Sequence, residues 1–213
     1  MPMLKSEKAG LKQSEREISM KMLIGLTGRT GSGKSAAARI FESLGAYVAD
    51  CDSVAHEILF DSEIKKKLCN LFSDSILDSE NNIDRKALGA IVFSDEKKLL
   101  LLNGVVHKAI VEKCVALCEE SGRDICIMDG SELESSGADL LCKHIVVICA
   151  DEKTRLERIM ARDNISREEA LMRMNSQRDY GKEAIIIENN LGEDELEKNI
   201  GALYNKFLGE ING

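Results

Sequence analysis

The segment that most constrains the fold of this chain is a glycine-rich loop at residues 28–35. It reads Gly-Arg-Thr-Gly-Ser-Gly-Lys-Ser and fits the phosphate-binding pattern G-x-x-x-x-G-K-[ST]. An apolar run at residues 22–26 precedes it and an alanine-rich stretch at 35–44 follows it, which predicts a strand, a loop and a helix. Glycines let successive N–H groups turn inward, and the helix N-terminus adds positive potential. We therefore predict nucleotide contacts from the whole loop: Gly28, Arg29, Thr30, Gly31, Ser32, Gly33, Lys34 and Ser35.

Two side chains of this loop have expected tasks of their own. Lys34 should reach the β- and γ-phosphates of a nucleotide, and Ser35 should ligate Mg²⁺, so ATP and Mg²⁺ are the expected cofactors. A GTPase would also carry an N-K-x-D motif for the base. Asn205 and Lys206 are followed by Phe-Leu, so that motif is missing and the GTPase class is excluded.

Strands and helices alternate along the rest of the chain. Four further strands are predicted, at residues 46–49, 124–128, 144–150 and 184–188. Strands separated by helices form a parallel sheet with right-handed crossovers. We therefore expect an α/β, three-layer P-loop fold with a five-stranded parallel sheet, whose core comprises residues 22–52 and 122–208.

A long helical stretch interrupts this alternation at residues 53–121. Successive helices are predicted at about 53–60, 63–72, 85–93, 95–103 and 105–120, with Asp84 and Ser94 as N-caps of two of them. The stretch is too large for a simple crossover between strands. We expect it to form a helical insert on the carboxyl edge of the sheet. A small phosphate-loop chain with such an insert and a late Arg-rich pair of helices fits the layout of a nucleoside or metabolite kinase, in which the insert holds the acceptor of the phosphoryl group.

Carboxylates follow two of the predicted strands. Asp50 and Asp52 lie just past the second strand, where a carboxylate can orient an acceptor hydroxyl and take its proton late. The alternative is an N-cap of the next helix, and Asp50 fits either role. Asp129 ends the third strand like a Walker B aspartate and is expected to hold Mg²⁺ with Ser35; the alternative is a strand-end turn.

Basic residues concentrate in one late segment of an otherwise acidic chain. Residues 153–182 hold eight Lys or Arg against five acids, whereas the whole chain has a net charge of −8. Such a chain lacks the basic face that duplex binding needs, but it can hold a small anion locally. Arg158 and Arg162 share one helix face and could clamp a phosphate. The alternative is a solvated face paired with Glu157 and Asp163. We expect residues 152–182 to form a lid.

Composition excludes several other classes. The seven cysteines form no C-x-x-C pair, which argues against a disulfide framework or a zinc site and favours reduced thiols in the cytoplasm. The longest apolar runs are far shorter than the roughly 20 residues of a membrane span. Residues 1–21 read as a disordered tail without a secretory signal. We expect no nucleic-acid or membrane partner, and a monomer or weak oligomer.

The ordered set of motifs resembles the dephospho-CoA kinase family over about residues 22–208. The segments that carry the resemblance are 25–35, 48–52 with His56, 82–88, 91–93, Leu102-Asn103 with His107, 156–162, Glu169-Ala170, Arg173, Gln177 and 187–190. The phosphate loop alone is shared by many enzymes. The five groups of segments in this order are much more specific.

The resemblance implies transfer of the γ-phosphoryl group of ATP to the ribose 3′-hydroxyl of dephospho-CoA, the last step of coenzyme A synthesis. By motif position, it implies Asp52 as the base and as an acceptor ligand. Lys34, Arg158 and Arg162 would act in catalysis, Arg158 on the nucleotide as well. The same resemblance places His56, Arg85 and His107 on the acceptor.

The chain departs from the family pattern after the third strand. The family usually has Pro-Leu-Leu and then an aromatic or apolar residue before Glu, whereas Asp129 is followed here by Gly-Ser-Glu-Leu-Glu. A carboxylate at Glu132 should repel an anionic acceptor unless it points away. Lys108 stands where Pro is usual, and Ile185 where Asp is common. Two alternatives therefore stay open: a diverged kinase for another small hydroxyl or nucleotide acceptor, and a non-catalytic ATP-binding protein.

Overall fold

The protein is built on one five-stranded, all-parallel sheet with the strand order β2-β3-β1-β4-β5. The computed structural model describes residues 20–175 and 180–213. The strands are β1 (Met22–Gly28), β2 (Tyr47–Asp50), β3 (Ile125–Asp129), β4 (His144–Cys149) and β5 (Ile185–Glu188). The predicted α/β fold with a five-stranded parallel sheet is confirmed. Most of the predicted tail, residues 1–19, lies outside the described residues.

Helices cover both faces of the sheet. They are α1 (Lys34–Ser43), α2 (Cys51–Glu57), α3 (Ser62–Phe72), α4 (Arg85–Val92), α5 (Glu96–Glu120), α6 (Leu133–Ser136), α7 (Glu152–Asp163), α8 (Arg167–Asn175) and α9 (Glu193–Asn212). Single 3₁₀ turns occur at Ile58–Phe60, Asp74–Ile76 and Ala138–Leu141. No described helix combines the length and apolarity that crossing a bilayer would require.

The three layers follow from the alternation of side chains along buried strands. Ile125 and Ile127 of β3 point to the face covered by α1 and α9, where Phe41 and Phe207 are fully buried. The residue between them, Cys126, points to the opposite face, which α2, α5 and α6 cover. Because the sheet is apolar on both faces, its polar chemistry is confined to the carboxyl ends of the strands.

The helical insert has a small core of its own, formed by α3, α4 and α5. The predicted break between two helices near residue 104 is wrong, because α5 runs unbroken through Gly104. A mid-helix glycine costs only about 1 kcal/mol relative to alanine, which the packing of a 25-residue helix outweighs. The predicted cap Ser94 is also wrong: the Asp95 carboxylate accepts the N–H groups of the first turn. Asp84 caps α4 as predicted.

The basic segment forms the helix pair α7–α8. The two helices pack through Leu156, Ile159, Ala170 and Met174. The predicted capping box is present, since Ser166 and Glu169 exchange hydrogen bonds at the start of α8. The sequence predicts that this helix extends to about Arg178; the structure describes it as far as Asn175, and Gln177 and Arg178 lie outside the described residues.

Candidate active site

The phosphate loop joins β1 to α1 and leaves the start of that helix without a side-chain cap. Gly31 and Gly33 adopt φ angles of 79° and 97°, a left-handed region that favours glycine. Gly33 is the N-cap of α1 and offers no side-chain acceptor to the first-turn N–H groups. The Ser32 hydroxyl is buried and has no hydrogen-bond partner among the described residues. These unsatisfied donors fit an anion such as a nucleotide phosphate.

Three side chains from the far end of the chain brace this loop from behind. Arg155 Nε donates to the Thr30 carbonyl at 2.9 Å. Asn189 Nδ2 donates to the Ser32 carbonyl at 2.8 Å. Arg158 Nη1 donates to the Gly31 and Ser32 carbonyls at 3.4 Å, and its Nη2 donates to Asn189 Oδ1 at the same distance. Since the loop carbonyls are held on this side, the N–H groups are left to face the ligand.

Sequence reasoning gave no role to two of these residues. Arg155 is 5% exposed and lies three residues before Arg158 on the same helix face, a spacing that could have signalled it. Asn189 is equally buried and follows β5, at the carboxyl edge where ligands of parallel sheets gather. Both act on residues more than 120 positions away in sequence.

A methyl group at Gly33 should disrupt nucleotide binding. Its Cβ would lie 2.1 Å from Nδ2 of Asn189, on a backbone conformation that side chains rarely adopt. We expect Gly33→Ala to weaken ATP binding about tenfold or more, since a shifted loop loses charge-assisted hydrogen bonds to the phosphates. The matched control is Gly201→Ala in α9, where an added Cβ has open space. Calorimetric titration with ATP measures both, and equal affinity of the two variants would contradict the loop geometry.

Two carboxylates and the loop lysine meet at the carboxyl ends of β1, β2 and β3. The register pairs Asp129 with Leu26 of β1 and with Asp50 of β2. Lys34 Nζ forms an ion pair with Asp129, which is 7% exposed. Burial raises the pKa of Asp129, the nearby Asp50 and Asp52 raise it further, and Lys34 opposes both effects.

The two acidic residues after β2 are placed differently. The Asp50 carboxylate accepts the N–H groups of Asp52 and Ser53 at 2.9 and 3.2 Å, so it is the N-cap of α2. Asp52 lies in the first turn of that helix with an exposed side chain. The N-cap alternative therefore describes Asp50, and Asp52 is the carboxylate that faces outward at the sheet edge.

The residues proposed for a metal have the oxygen donors that Mg²⁺ prefers. Ser35 is the second residue of α1 and Asp129 ends β3, so a hydroxyl and a carboxylate flank the start of the loop helix. No group of three or more His, Cys, Asp or Glu within residues 20–175 and 180–213 could hold a metal alone. Mg²⁺ is commonly held by one or two protein oxygens together with substrate phosphates and water. The donor set therefore fits a nucleotide-bound Mg²⁺.

The structure does not bring Arg162 to the phosphate loop. Its guanidinium makes two hydrogen bonds to Asp163 at 2.8 and 2.9 Å, and its side chain is 60% exposed. Arg173 also forms an ion pair with Asp163. The hydrogen bonds from Arg162, together with Arg173, lower the pKa of the Asp163 carboxyl. The salt-bridged alternative describes this conformation, and the phosphate-clamp role of Arg162 stays a prediction.

Besides Asp52, the three residues expected on the acceptor belong to the stretch 53–121. His56 is exposed on α2, and Arg85 is the exposed first residue of α4. His107 lines a cavity of about 500 Å³ against α5, together with Asn103 and Ser135. Their role toward an acceptor remains a prediction.

A cavity of about 720 Å³ beside the loop opens at the carboxyl ends of β1 and β4. In the sheet, β3 and β2 lie on one side of β1, and β4 and β5 lie on the other, so the strand order switches direction at β1. Ligands of open parallel sheets bind at such a switch point. Thr27, Gly28, Arg29 and Ser32 line its loop side, and Val147, Ile148, Cys149, Ala150 and Arg155 line its β4 side. The remaining wall consists of Ser131, Glu132, Glu134, Ser135 and Tyr180.

The unusual segment after β3 forms that remaining wall. Leu133 is buried in the core, while Glu132 and Glu134 border the cavity. Glu132 is hydrogen-bonded by the Ser135 hydroxyl, and Glu134 Oε2 accepts the Gly181 N–H at 3.3 Å. The two carboxylates are therefore engaged by neighbouring donors as well as facing the cavity.

Comparison with known proteins gives a consistent picture. A sequence profile of the dephospho-CoA kinase family matches residues 22–194. The dephospho-CoA kinase of Fusobacterium nucleatum is 34% identical over 183 residues, which cover 84% of this chain and 95% of that protein. The enzyme of the same name from Geobacter sulfurreducens is 35% identical over 192 residues, covering 86% and 98%.

Solved structures agree in fold. A protein from Thermus thermophilus superposes with a TM-score of 0.73 at 28% identity, covering 88% of this chain and 98% of that one. The dephospho-CoA kinase from Campylobacter jejuni superposes with a TM-score of 0.59 at 26% identity, covering 87% and 96%.

Proposed function

The chain belongs to the dephospho-CoA kinase family, and from that premise we propose that it transfers the γ-phosphoryl group of ATP to the ribose 3′-hydroxyl of dephospho-CoA. The products are coenzyme A and ADP. The observation that carries the proposal is the meeting of the phosphate loop with Asp129 and Asp52 at one edge of the sheet. That arrangement supplies a phosphate cradle, a metal ligand and a carboxylate for an acceptor hydroxyl in one place.

Nucleotide binding is assigned to the loop. Its N–H groups and the Ser32 hydroxyl receive the phosphates, Lys34 places its charge beside them, and Arg158 supports the loop from behind. Ser35 and Asp129 would hold Mg²⁺, which when bound neutralises phosphate charge. Lys34 already lies against Asp129, so its cation is held at the position where the phosphates meet the metal ligands.

Asp52 is assigned as the residue that orients the acceptor hydroxyl and accepts its proton. Its backbone is fixed by the Asp50 cap, and its exposed carboxylate can approach a substrate without displacing a structural contact. In a loose phosphoryl-transfer transition state the proton leaves late, so orientation is the larger part of this role.

The acceptor is proposed to bind between the core and the insert. Residues 53–121, with His56, Arg85 and His107, form the acceptor-binding part, and residues 22–52 and 122–208 form the core. The region 152–182 is proposed as a lid that excludes water. Within it Arg158 is anchored on the loop carbonyls, so Arg162 is the clamp residue that would have to move onto the phosphates. We place the activity in the cytoplasm, in a monomer or weak oligomer with no nucleic-acid or membrane partner, in keeping with the net charge of −8.

Deoxy analogues of the acceptor test the regiochemistry. With Mg·ATP, the 2′-deoxy analogue of dephospho-CoA should support ADP release and the 3′-deoxy analogue should not, because only the former retains the attacked hydroxyl. Analogue-dependent ADP is measured by a coupled assay, and the 3′-deoxy analogue should still inhibit competitively. Turnover of the 3′-deoxy analogue would reject the assignment of the 3′-hydroxyl.

Asp129→Asn should separate stability from activity. Burial raises the pKa of Asp129, so there is a pH window in which this carboxyl is protonated in the folded protein and ionised in the unfolded chain. As pH rises through that window the free energy of unfolding falls, because the folded state has to release the extra proton. An uncharged isostere removes this cost. We expect a Tm at neutral pH no lower than that of the wild type, with about a ten- to hundredfold increase in the Mg²⁺ needed for half-maximal activity. Calorimetry and a metal titration check both, and a lower Tm with unchanged metal dependence would contradict the assignment.

A further inference from the structure

Tyr180 stands out in the wall of the 720 Å³ cavity beside the phosphate loop. Among the described residues that line this cavity, it is the one aromatic side chain. Aromatic residues make up only 4% of the sequence and include no Trp. A tyrosine at the border of a polar cavity therefore calls for a physical reason.

A buried carboxylate anchors this tyrosine. Asp139 lies in the 3₁₀ turn between α6 and β4 and is 7% exposed. Its Oδ2 accepts the Tyr180 hydroxyl at 3.2 Å and forms an ion pair with Lys182 Nζ. The N–H of Gly181 donates to Glu134 Oε2 at 3.3 Å. Three consecutive residues are thus fixed to the segment that joins β3 to β4, more than 40 positions earlier in the chain.

This anchoring determines which part of Tyr180 borders the cavity. The hydroxyl is engaged by Asp139, which is buried and is not among the residues that line the cavity, whereas Tyr180 does line it. With its hydroxyl held in this way, the ring is the part of the side chain left to meet a ligand. Burial and the charge of Asp139 raise the pKa of Tyr180 to about 12, so its hydroxyl stays a protonated donor at neutral pH. The cavity thus has an aromatic ring on one side and Arg29 and Arg155 on others.

We infer that Tyr180 is a specificity-determining residue whose ring stacks on the purine base of the acceptor, and that Asp139 is the residue that positions it. The cavity volume suits a nucleoside-sized ligand, and Ser135 lines both this cavity and the cavity of about 500 Å³ beside His107, so an acceptor whose base lies here can extend to the insert. A purine presents a π-face to an aromatic ring, while Arg29, which also lines the cavity, adds positive charge near the adjoining phosphates. That the acceptor is dephospho-CoA rests on the proposed function. That the Tyr180 ring serves as a stacking face rests on the cavity lining and on the hydrogen bond to Asp139.

Steady-state kinetics of four variants, one of them a control, test the inference. Tyr180→Leu removes the ring and should raise KM for dephospho-CoA about ten- to hundredfold, while kcat and KM for ATP stay within about twofold. Asp139→Asn should raise the same KM by a smaller factor because the ring is kept but loses its anchor. Lys182→Arg preserves the ion pair and should retain the wild-type KM. Asp124→Asn, which breaks an exposed ion pair with Lys21, controls for loss of a charge.

The outcome that would overturn the inference is an acceptor KM for Tyr180→Leu equal to the wild-type value. An equal rise in both KM values would overturn it too, because it would indicate a general distortion of the site. The informative readout is a rise in KM for dephospho-CoA without a rise in KM for ATP, since a merely structural role of Tyr180 would raise both.

A binding measurement keeps this test separate from the proposed function. Tyr180→Trp introduces the single Trp of the chain as a fluorescent reporter. Dephospho-CoA should quench it by stacking, and pantetheine 4′-phosphate, the half of the acceptor without a nucleoside, should not. Quenching without turnover of the wild-type enzyme would reject the kinase assignment and uphold the stacking face. Turnover with no quenching would reject the stacking face and uphold the kinase.

Discussion

Lys34→Met should lower kcat/KM for ATP-dependent phosphorylation by about a hundred- to thousandfold, the loss typical of removing one preorganised charge from a transition state. Lys34 opens α1 and its Nζ lies against Asp129, where the phosphates and the metal ligands meet. Its cation therefore acts on the charge that spreads over the transferring phosphoryl group. Methionine keeps an unbranched side chain, one atom shorter, and removes the charge and its N–H donors.

The same substitution should also destabilise the protein. Asp129 would lose the one effect that lowers its pKa, leaving burial and two neighbouring carboxylates to raise it. An unpaired, buried carboxylate costs free energy at neutral pH, so the Tm should fall. Lys198→Met on the exposed surface of α9 is the matched control and should leave both quantities unchanged. A kcat/KM within threefold of the wild type would remove Lys34 from the mechanism.

Asp52→Asn should lower kcat by about a hundred- to ten-thousandfold and leave the Kd for ATP within about twofold. The exposed carboxylate of Asp52 is assigned to the acceptor hydroxyl, and no nucleotide contact is assigned to it. The amide keeps the size of the side chain but cannot accept the proton. Rapid-quench measurement of the chemical step and calorimetric titration with ATP separate the two quantities.

Asp50 provides an internal control for this substitution. It lies two residues away and serves as the N-cap of α2. Asparagine is as good an N-cap as aspartate, so Asp50→Asn should keep most of the activity. Equal losses for the two variants would mean that the segment, and not the Asp52 carboxylate, carries the effect.

Local signals account for the parts of the structure that the sequence predicts well. The phosphate loop and the strand ends at Asp50 and Asp129 depend on residues adjacent in the chain, and the structure places these strand ends side by side. The periodicity of apolar residues likewise identifies all five strands. Helix boundaries are predicted less accurately than strands. Gly104 favours a break between two helices, but tertiary packing keeps α5 continuous through it.

Long-range contacts account for what sequence reasoning missed. Asn189 contacts the loop from 157 residues away, and Arg155 from 125. Tyr180 lines the cavity with its hydroxyl bonded to Asp139, 41 positions earlier, and no short motif joins these two positions. The segment after β3 was recognised as unusual, but its place in the cavity wall depends on the folded arrangement of α6.

The most direct test of the central claim is ADP release from Mg·ATP by the purified protein, with and without dephospho-CoA, with mass detection of the product. The account predicts acceptor-dependent ADP and a product heavier than the acceptor by one phosphoryl group. It would be contradicted by ATP binding without acceptor-dependent ADP, which would indicate a different acceptor behind the Glu132 wall or a binding protein without catalysis.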